Sequence, residues 1–116
     1  MLLICRFDIS PDGEQEFLSR ARRALALLTA ASGCRHAELA RAIEQPTRWV
    51  LTARFDSVVA YRRALSPFDV REHVIPLLSE ALADEPATYE TLVDASSGAI
   101  TEHTSLLASP DERGRI

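Results

Sequence analysis

Strand-like and helix-like segments alternate along this chain in the order βαββαβ, which predicts an α+β fold with an antiparallel sheet. Three observations carry that prediction. Residues 2–9, LLICRFDI, are rich in strand formers and stop at a turn signal, Ser10-Pro11-Asp12-Gly13. The next stretch, to about Ser32, places its apolar residues at helical spacing. Residues 34–43 and 48–55 then read as a hairpin closed by Glu44-Gln45-Pro46-Thr47. With further helix and a last strand downstream, this is the ferredoxin-like plan, in which the chain's own helices cover only one face of the sheet.

Each element has its own local justification. Asp12 with Gln15 three residues later suits a capping box for the first helix. Phe17, Leu18, Ala21, Ala24, Leu25 and Leu28 form one apolar stripe, and Gly33 supplies a stop. Arg20, Arg22 and Arg23 belong to a solvated face. In the hairpin, placing Ile43 opposite Arg48 sorts the side chains by alternation. His36, Glu38, Ala40 and Ala42 then share a face with Trp49, Leu51, Ala53 and Phe55, and Leu3, Cys5, Phe7 and Ile9 join it against the helices. Arg35, Leu39, Arg41, Val50, Thr52 and Arg54 fall on the other face.

Ser57 caps a short helix carrying Val58, Tyr61, Arg62 and Leu65. Pro67 suits the first turn of a new helix. Pro76 lacks an amide hydrogen and clashes with the preceding turn, so that run is expected to kink or split. Val70, Val74, Leu77, Leu78 and Ala81 nevertheless keep a helical stripe. Residues 87–94, ATYETLVD, are the expected last strand and close a domain of residues 1–94. Residues 95–116 differ in character, with a flexible joint at Ser96-Ser97-Gly98. They are either an arm on a partner subunit or a loosely docked tail.

The chain's 116 residues suit one domain, and a hydrophobic content of 47% supports a real core. A net charge of −4 argues against nucleic acid, which wants a clustered basic surface. The apolar start is followed at once by Arg6 and Asp8, unlike a secretion signal, and no apolar run is long enough to span a bilayer. A cytoplasmic protein that binds neither nucleic acid nor membrane is expected. Cys5 and Cys34 fall on strands separated by a third, roughly 10 Å apart and beyond disulfide reach. Both are expected to be free thiols. No Cys-x-x-Cys or His-x-His spacing suggests a metal.

The stretch from Arg48 to Leu78, RWVLTARFDSVVAYRRALSPFDVREHVIPLL, carries a resemblance. Its aromatic strand end and acidic-Ser cap, Phe55-Asp56-Ser57, and its helix closing on Ser66-Pro67 resemble the antibiotic biosynthesis monooxygenase family. The Gly33-Cys34 junction and the Ala37-Glu38-Leu39 strand also suit it, and the likeness extends over about residues 1–94. It implies a dimeric α/β barrel, with two sheets facing each other in a homodimer. It also implies oxygenase chemistry without a cofactor, in which a phenol or anthrone supplies electrons to oxygen. The protein offers an apolar pocket, a proton acceptor and orienting hydrogen bonds. Consistent with that, the sequence has no glycine-rich phosphate loop, nucleophile elbow or dinucleotide fingerprint.

Within that frame His73 is the proton-acceptor candidate, since it sits beside the apolar helical stripe and an imidazole titrates near neutral pH. A half-exposed helix histidine is the competing reading. Tyr61 could hydrogen-bond a substrate oxygen, with Phe7, Trp49, Arg62 and Phe68 as substrate-binding positions around a cleft between sheet and helices. His36 and Glu38 suit a structural pair, Cys5 an inert core thiol, and His103 receives no role. The same fold hosts haem-degrading oxygenases. Here Phe7 stands where those have asparagine, and the helix with Tyr61, Arg62 and Arg63 lacks their tryptophan. Haem breakdown is therefore disfavoured, and only weak haem binding through His73 stays open.

The sequence thus predicts a homodimeric, cofactor-independent monooxygenase acting on an aromatic or quinol-like molecule. Two alternatives accompany it: a dimeric ligand-binding or accessory module without turnover, and an interaction protein whose cleft its own side chains fill.

Overall fold

The structure is a computed structural model that describes residues 1–107. Strand β1 (Leu2–Asp8) leads through a 3-10 turn (Pro11–Gly13) into helix α1 (Glu14–Thr29). Strands β2 (Cys34–Arg41) and β3 (Arg48–Phe55) follow, then helices α2 (Val58–Ala64), α3 (Phe68–His73) and α4 (Ile75–Ser79). Three short strands end the described chain: β4 (Thr88–Tyr89), β5 (Val93–Ser96) and β6 (Ala99–Glu102). The first four strands make one sheet in the order β2-β3-β1-β4, and the pairings recorded in it are antiparallel. This is the ferredoxin-like order.

Alternation decides the core. Leu3, Cys5 and Phe7 of β1 and Trp49, Leu51, Ala53 and Phe55 of β3 all point into it. Phe17, Ala21, Ala24 and Leu28 meet them from α1, and Val70, Val74 and Leu77 from α3 and α4. Burying each of the larger side chains contributes about 1.5–3 kcal/mol. Pro76 splits the last helical run, as its missing donor requires, and the stripe survives because both pieces face the same core. Ser57 caps α2 by accepting from the Ala60 amide at 3.0 Å.

Several local expectations are corrected. Asp12 and Gln15 form no capping box at the start of α1. Gly13 is the cap residue and no side chain caps it, because Pro11–Gly13 winds into a 3-10 turn first. The expected strand over 87–94 shortens to Thr88–Tyr89, and β5 runs across position 94 to pair with β6 instead of β1. Ser96-Ser97-Gly98 is no loose joint. Ser97 and Gly98 carry φ of +51° and +81°, which closes β5 and β6 as a tight hairpin. Residues 108–116 of the expected arm lie outside the described residues.

The register of β2 is the largest correction. Leu39 lies opposite Leu51 and Ala40 opposite Val50, one residue away from the pairing that would set Ile43 against Arg48. A shift of one exchanges the faces of a strand. Ala37 and Leu39 therefore pack on the core, whereas His36, Glu38 and Ala40 share the open face with Val50 and Thr52. The cause is the connection. The Ala42 amide donates to the Arg48 carbonyl at 2.9 Å and the Arg48 amide to the Gln45 carbonyl at 2.9 Å, so Ile43 belongs to the loop. At the other end a bulge at Arg35 offsets Cys34 from His36.

Candidate active site

The structure does not gather the expected site residues around one cleft. Phe7 is fully buried, its ring 5.0 Å from Phe17, and Trp49 stands 5.7 Å from the same ring. Under α1 these rings pack on one another, and both Phe7 and Trp49 also line a cavity at the β2–β3 end of the sheet. Phe68 is 68% exposed at the start of α3, and Arg62 is exposed on α2. Tyr61 is half-buried edge-on to Phe55 at 5.3 Å, and burial raises its hydroxyl pKa above the ordinary value. His73 lies in an outer groove of about 340 Å³ with Arg20, Arg23 and Glu72. Its Nε2 is 3.4 Å from Nη1 of Arg23, a group that can only donate.

A second cavity, of about 360 Å³, opens at the end of the sheet where β3 gives way to α2. That volume falls within the range of small-molecule sites. Phe55, Val58 and Val59 provide an apolar wall, and Met1 closes one side. The polar side combines Arg54 with Asp94 and His103. Asp94 Oδ2 and His103 Nε2 are 2.6 Å apart, a charge-assisted hydrogen bond. Arg35, freed from the ladder by the bulge, pairs with Asp56 through contacts of 2.5 and 3.0 Å. Among the described residues Arg54 has no ion-pair partner.

The Met1 amine donates to the Phe55 carbonyl at 2.9 Å. Its pKa lies below the ordinary value, first through burial and then through Arg54, with Asp56 and Asp94 acting oppositely. These charges therefore stand within electrostatic reach of one another. The segment after β6 folds back over the cavity because Glu90 accepts from the Ser105 hydroxyl at 2.5 Å and the Leu106 amide at 2.8 Å. Those same bonds hold the Glu90 carboxyl below its ordinary pKa. Sequence reasoning missed this site because its polar groups lie far apart in the chain. The one local signal was the spacing of Asp94 and His103 about a Ser-Gly turn.

A third cavity, about 350 Å³, lies at the end of the sheet beside the β2–β3 loop, where Phe7 and Trp49, two of the expected substrate-binding residues, line it together with Arg6, Arg41, Arg48 and Val50. Next to it Arg6 Nη1 and Trp49 Nε1 are buried without a hydrogen-bond partner among the described residues. Cys5 is buried and Cys34 partly so, and both are free, with β3 between their strands as expected. Among the described residues no group of three or more His, Cys, Asp or Glu side chains could hold a metal ion. No helix among them is long and apolar enough to cross a membrane.

The sheet order, the packed helical face and the end cavity define a ferredoxin-like α+β domain. The chain belongs to the antibiotic biosynthesis monooxygenase family, whose model matches residues 1–73, more than half of its length. No curated protein matches it. Among solved structures it is similar to SnoaB, a cofactor-independent oxygenase from Streptomyces nogalater. That likeness has 19% identity and a TM-score of 0.60, covering 94% of this chain and 95% of that one. It is also similar to Rv0793 from Mycobacterium tuberculosis, with 19% identity and a TM-score of 0.59 over 93% and 96% of the two chains. A conserved protein of Methanosarcina mazei Go1 matches with 19% identity and a TM-score of 0.62, over 72% of this chain and 82% of that one. At these identities the likeness is one of fold.

Proposed function

We propose that this protein is a cofactor-independent monooxygenase of a small phenol or hydroquinone, with the substrate in the cavity beside Phe55. The observation that carries the reading is that cavity, in a chain of this family. It sets an apolar wall for an aromatic ring against a histidine, a carboxylate and an arginine without an ion-pair partner among the described residues. Deprotonating a phenol raises its electron density, and an electron-rich ring can reduce oxygen itself. The protein's part is then to hold the ring, take its proton and exclude water. Family membership and the similarity to a cofactor-independent oxygenase support the reaction type.

The test is oxygen uptake with a panel of phenols and hydroquinones, without added flavin, nicotinamide or metal. Saturable uptake above the spontaneous rate supports the reading. Ligand binding with no uptake moves the protein to a non-enzymatic ligand-binding module of the same fold.

A second reading keeps His73 as proton acceptor, and the partial exposure of the His73 ring to its outer groove favours it, although Tyr61, its expected orienting partner, lies against Phe55 and does not line that groove. Loss of a general base costs about 10²–10⁴-fold in rate. His73→Ala should therefore cripple turnover under the second reading and leave it near wild type under the first.

A further inference from the structure

We propose that His103 and Asp94 form the proton-accepting pair for a phenolic ligand in the cavity beside Phe55, with Arg54 as counter-charge to the phenolate. This rests on the reading that the substrate lies in that cavity. The hairpin builds the pair. Asp94 lies opposite Thr101 in the β5–β6 register, and Thr101 and His103, two apart, extend to the same side. The His103 amide donates to the Leu92 carbonyl at 2.8 Å, which carries the strand geometry one step past β6. The two side chains are thus diagonal neighbours on one face of a hairpin closed by Ser97 and Gly98.

The hydrogen bond assigns the roles. An ionised Asp94 only accepts, so the 2.6 Å contact places the proton on His103 Nε2 and leaves Nδ1 as an acceptor without a partner among the described residues. In the step proposed, the phenol O–H bond breaks and an Nδ1–H bond forms. The electron pair stays on the phenolate oxygen, and Asp94 remains ionised and stabilises the imidazolium. Arg54 is the cation of the cavity wall without a carboxylate partner among the described residues. The other charges facing the pair are Glu90, committed to Ser105 and Leu106, the Arg35–Asp56 pair, and the Met1 amine.

The test uses the full chain and 4-nitrophenol, whose phenolate absorbs visibly and whose ring is a poor electron donor, so no turnover is needed. Wild type should bind it largely as phenolate at a pH where the free dye is mostly neutral. His103→Gln should cut the ionised fraction of bound dye at least tenfold while retaining binding. Asp94→Asn, a change at a positioning residue, should move the pH midpoint of ionisation in the same direction as His103→Gln. Arg54→Gln should weaken phenolate binding about tenfold. A purely structural pair predicts a lower hairpin melting temperature and unchanged dye ionisation, and that result overturns the proposal. So does dye that perturbs amide resonances around His73 and not those of Phe55, Asp94 and His103, or no binding at all. Dye ionised as expected, with no oxygen uptake from any hydroquinone, would sink the oxygenase reading and leave this one standing.

Discussion

At the scale of single residues, backbone geometry and burial make the sharpest demands. Gly33 has a φ of +92°, and a Cβ there would meet the Ala60 Cβ at 2.9 Å. Gly33→Ala combines a left-handed strain of about 1–3 kcal/mol with that clash. It should lower the unfolding free energy from a urea titration by at least that amount, and an unchanged midpoint would mean that the α1–β2 junction is built differently. The two thiols should also separate. Burial pushes Cys5 up to about 11, and it also raises Cys34, which is less enclosed. Thiolate is the reacting form. Iodoacetamide at pH 8 should therefore label Cys34 first and Cys5 only on unfolding, as peptide mass spectrometry would read. Equal labelling rates would contradict the placement of Cys5 in the core.

At the scale of elements, caps and ties between helices set the expected effects. Ser57→Ala removes the hydroxyl that satisfies the Ala60 amide and should cost about 0.5–2 kcal/mol. Asn at the same position should restore most of it in a denaturant titration. Arg20 on α1 binds both carboxylate oxygens of Glu80 at the end of α4 and holds that carboxyl below its ordinary pKa. A depressed folded pKa stabilises above the unfolded value of about 4.3 and loses that contribution as pH falls through the folded value. The pair is largely exposed, so solvent screening keeps the effect small. Glu80→Gln should lower the melting temperature slightly at pH 7 and converge with wild type below about pH 4.5, which flattens the acid limb of the profile. A larger acid sensitivity in the variant would reverse the assigned sign.

At the scale of the whole molecule, the helices of the described chain cover one sheet face, and Leu2, Ile4, Val50 and Thr52 sit half-buried on the other. Beside them Arg6 Nη1 lacks a hydrogen-bond partner among the described residues, and Val93, Ile100, Leu106 and Leu107 stand exposed on the segment beyond β4. These features support the proposal of a homodimer through the open face, with the segment after β4 as an arm. A stable interface of ordinary size buries about 1,200–2,000 Å² in total. Val50→Arg would set a charge in its middle and should yield monomer or aggregate. Sedimentation that finds the native chain monomeric and well folded at micromolar concentration would remove the proposal.

The sequence by itself determined the βαββαβ order, the buried stripe of α1, the Ser57 cap, the break at Pro76 and the separation of the two cysteines. Each of these follows from local spacing or from a residue whose backbone chemistry leaves few options. Leu39 and His36 show where that legibility ends. Their faces depend on whether the hairpin loop begins at Ile43 or after it, and a single hydrogen bond between Ala42 and Arg48 decides the matter. The candidate site is further still from local pattern. Phe7 and Trp49 pack against Phe17 under α1 and line a cavity at the β2–β3 end of the sheet, which His73 in its outer groove does not share. His103, whose one local signal was its spacing from Asp94 about a turn, acquires Asp94 from across a hairpin and shares a cavity wall with Arg54 from the end of β3. Only the tertiary structure could make that choice, because a proton acceptor is defined by the groups around it, and here three distant segments supply them.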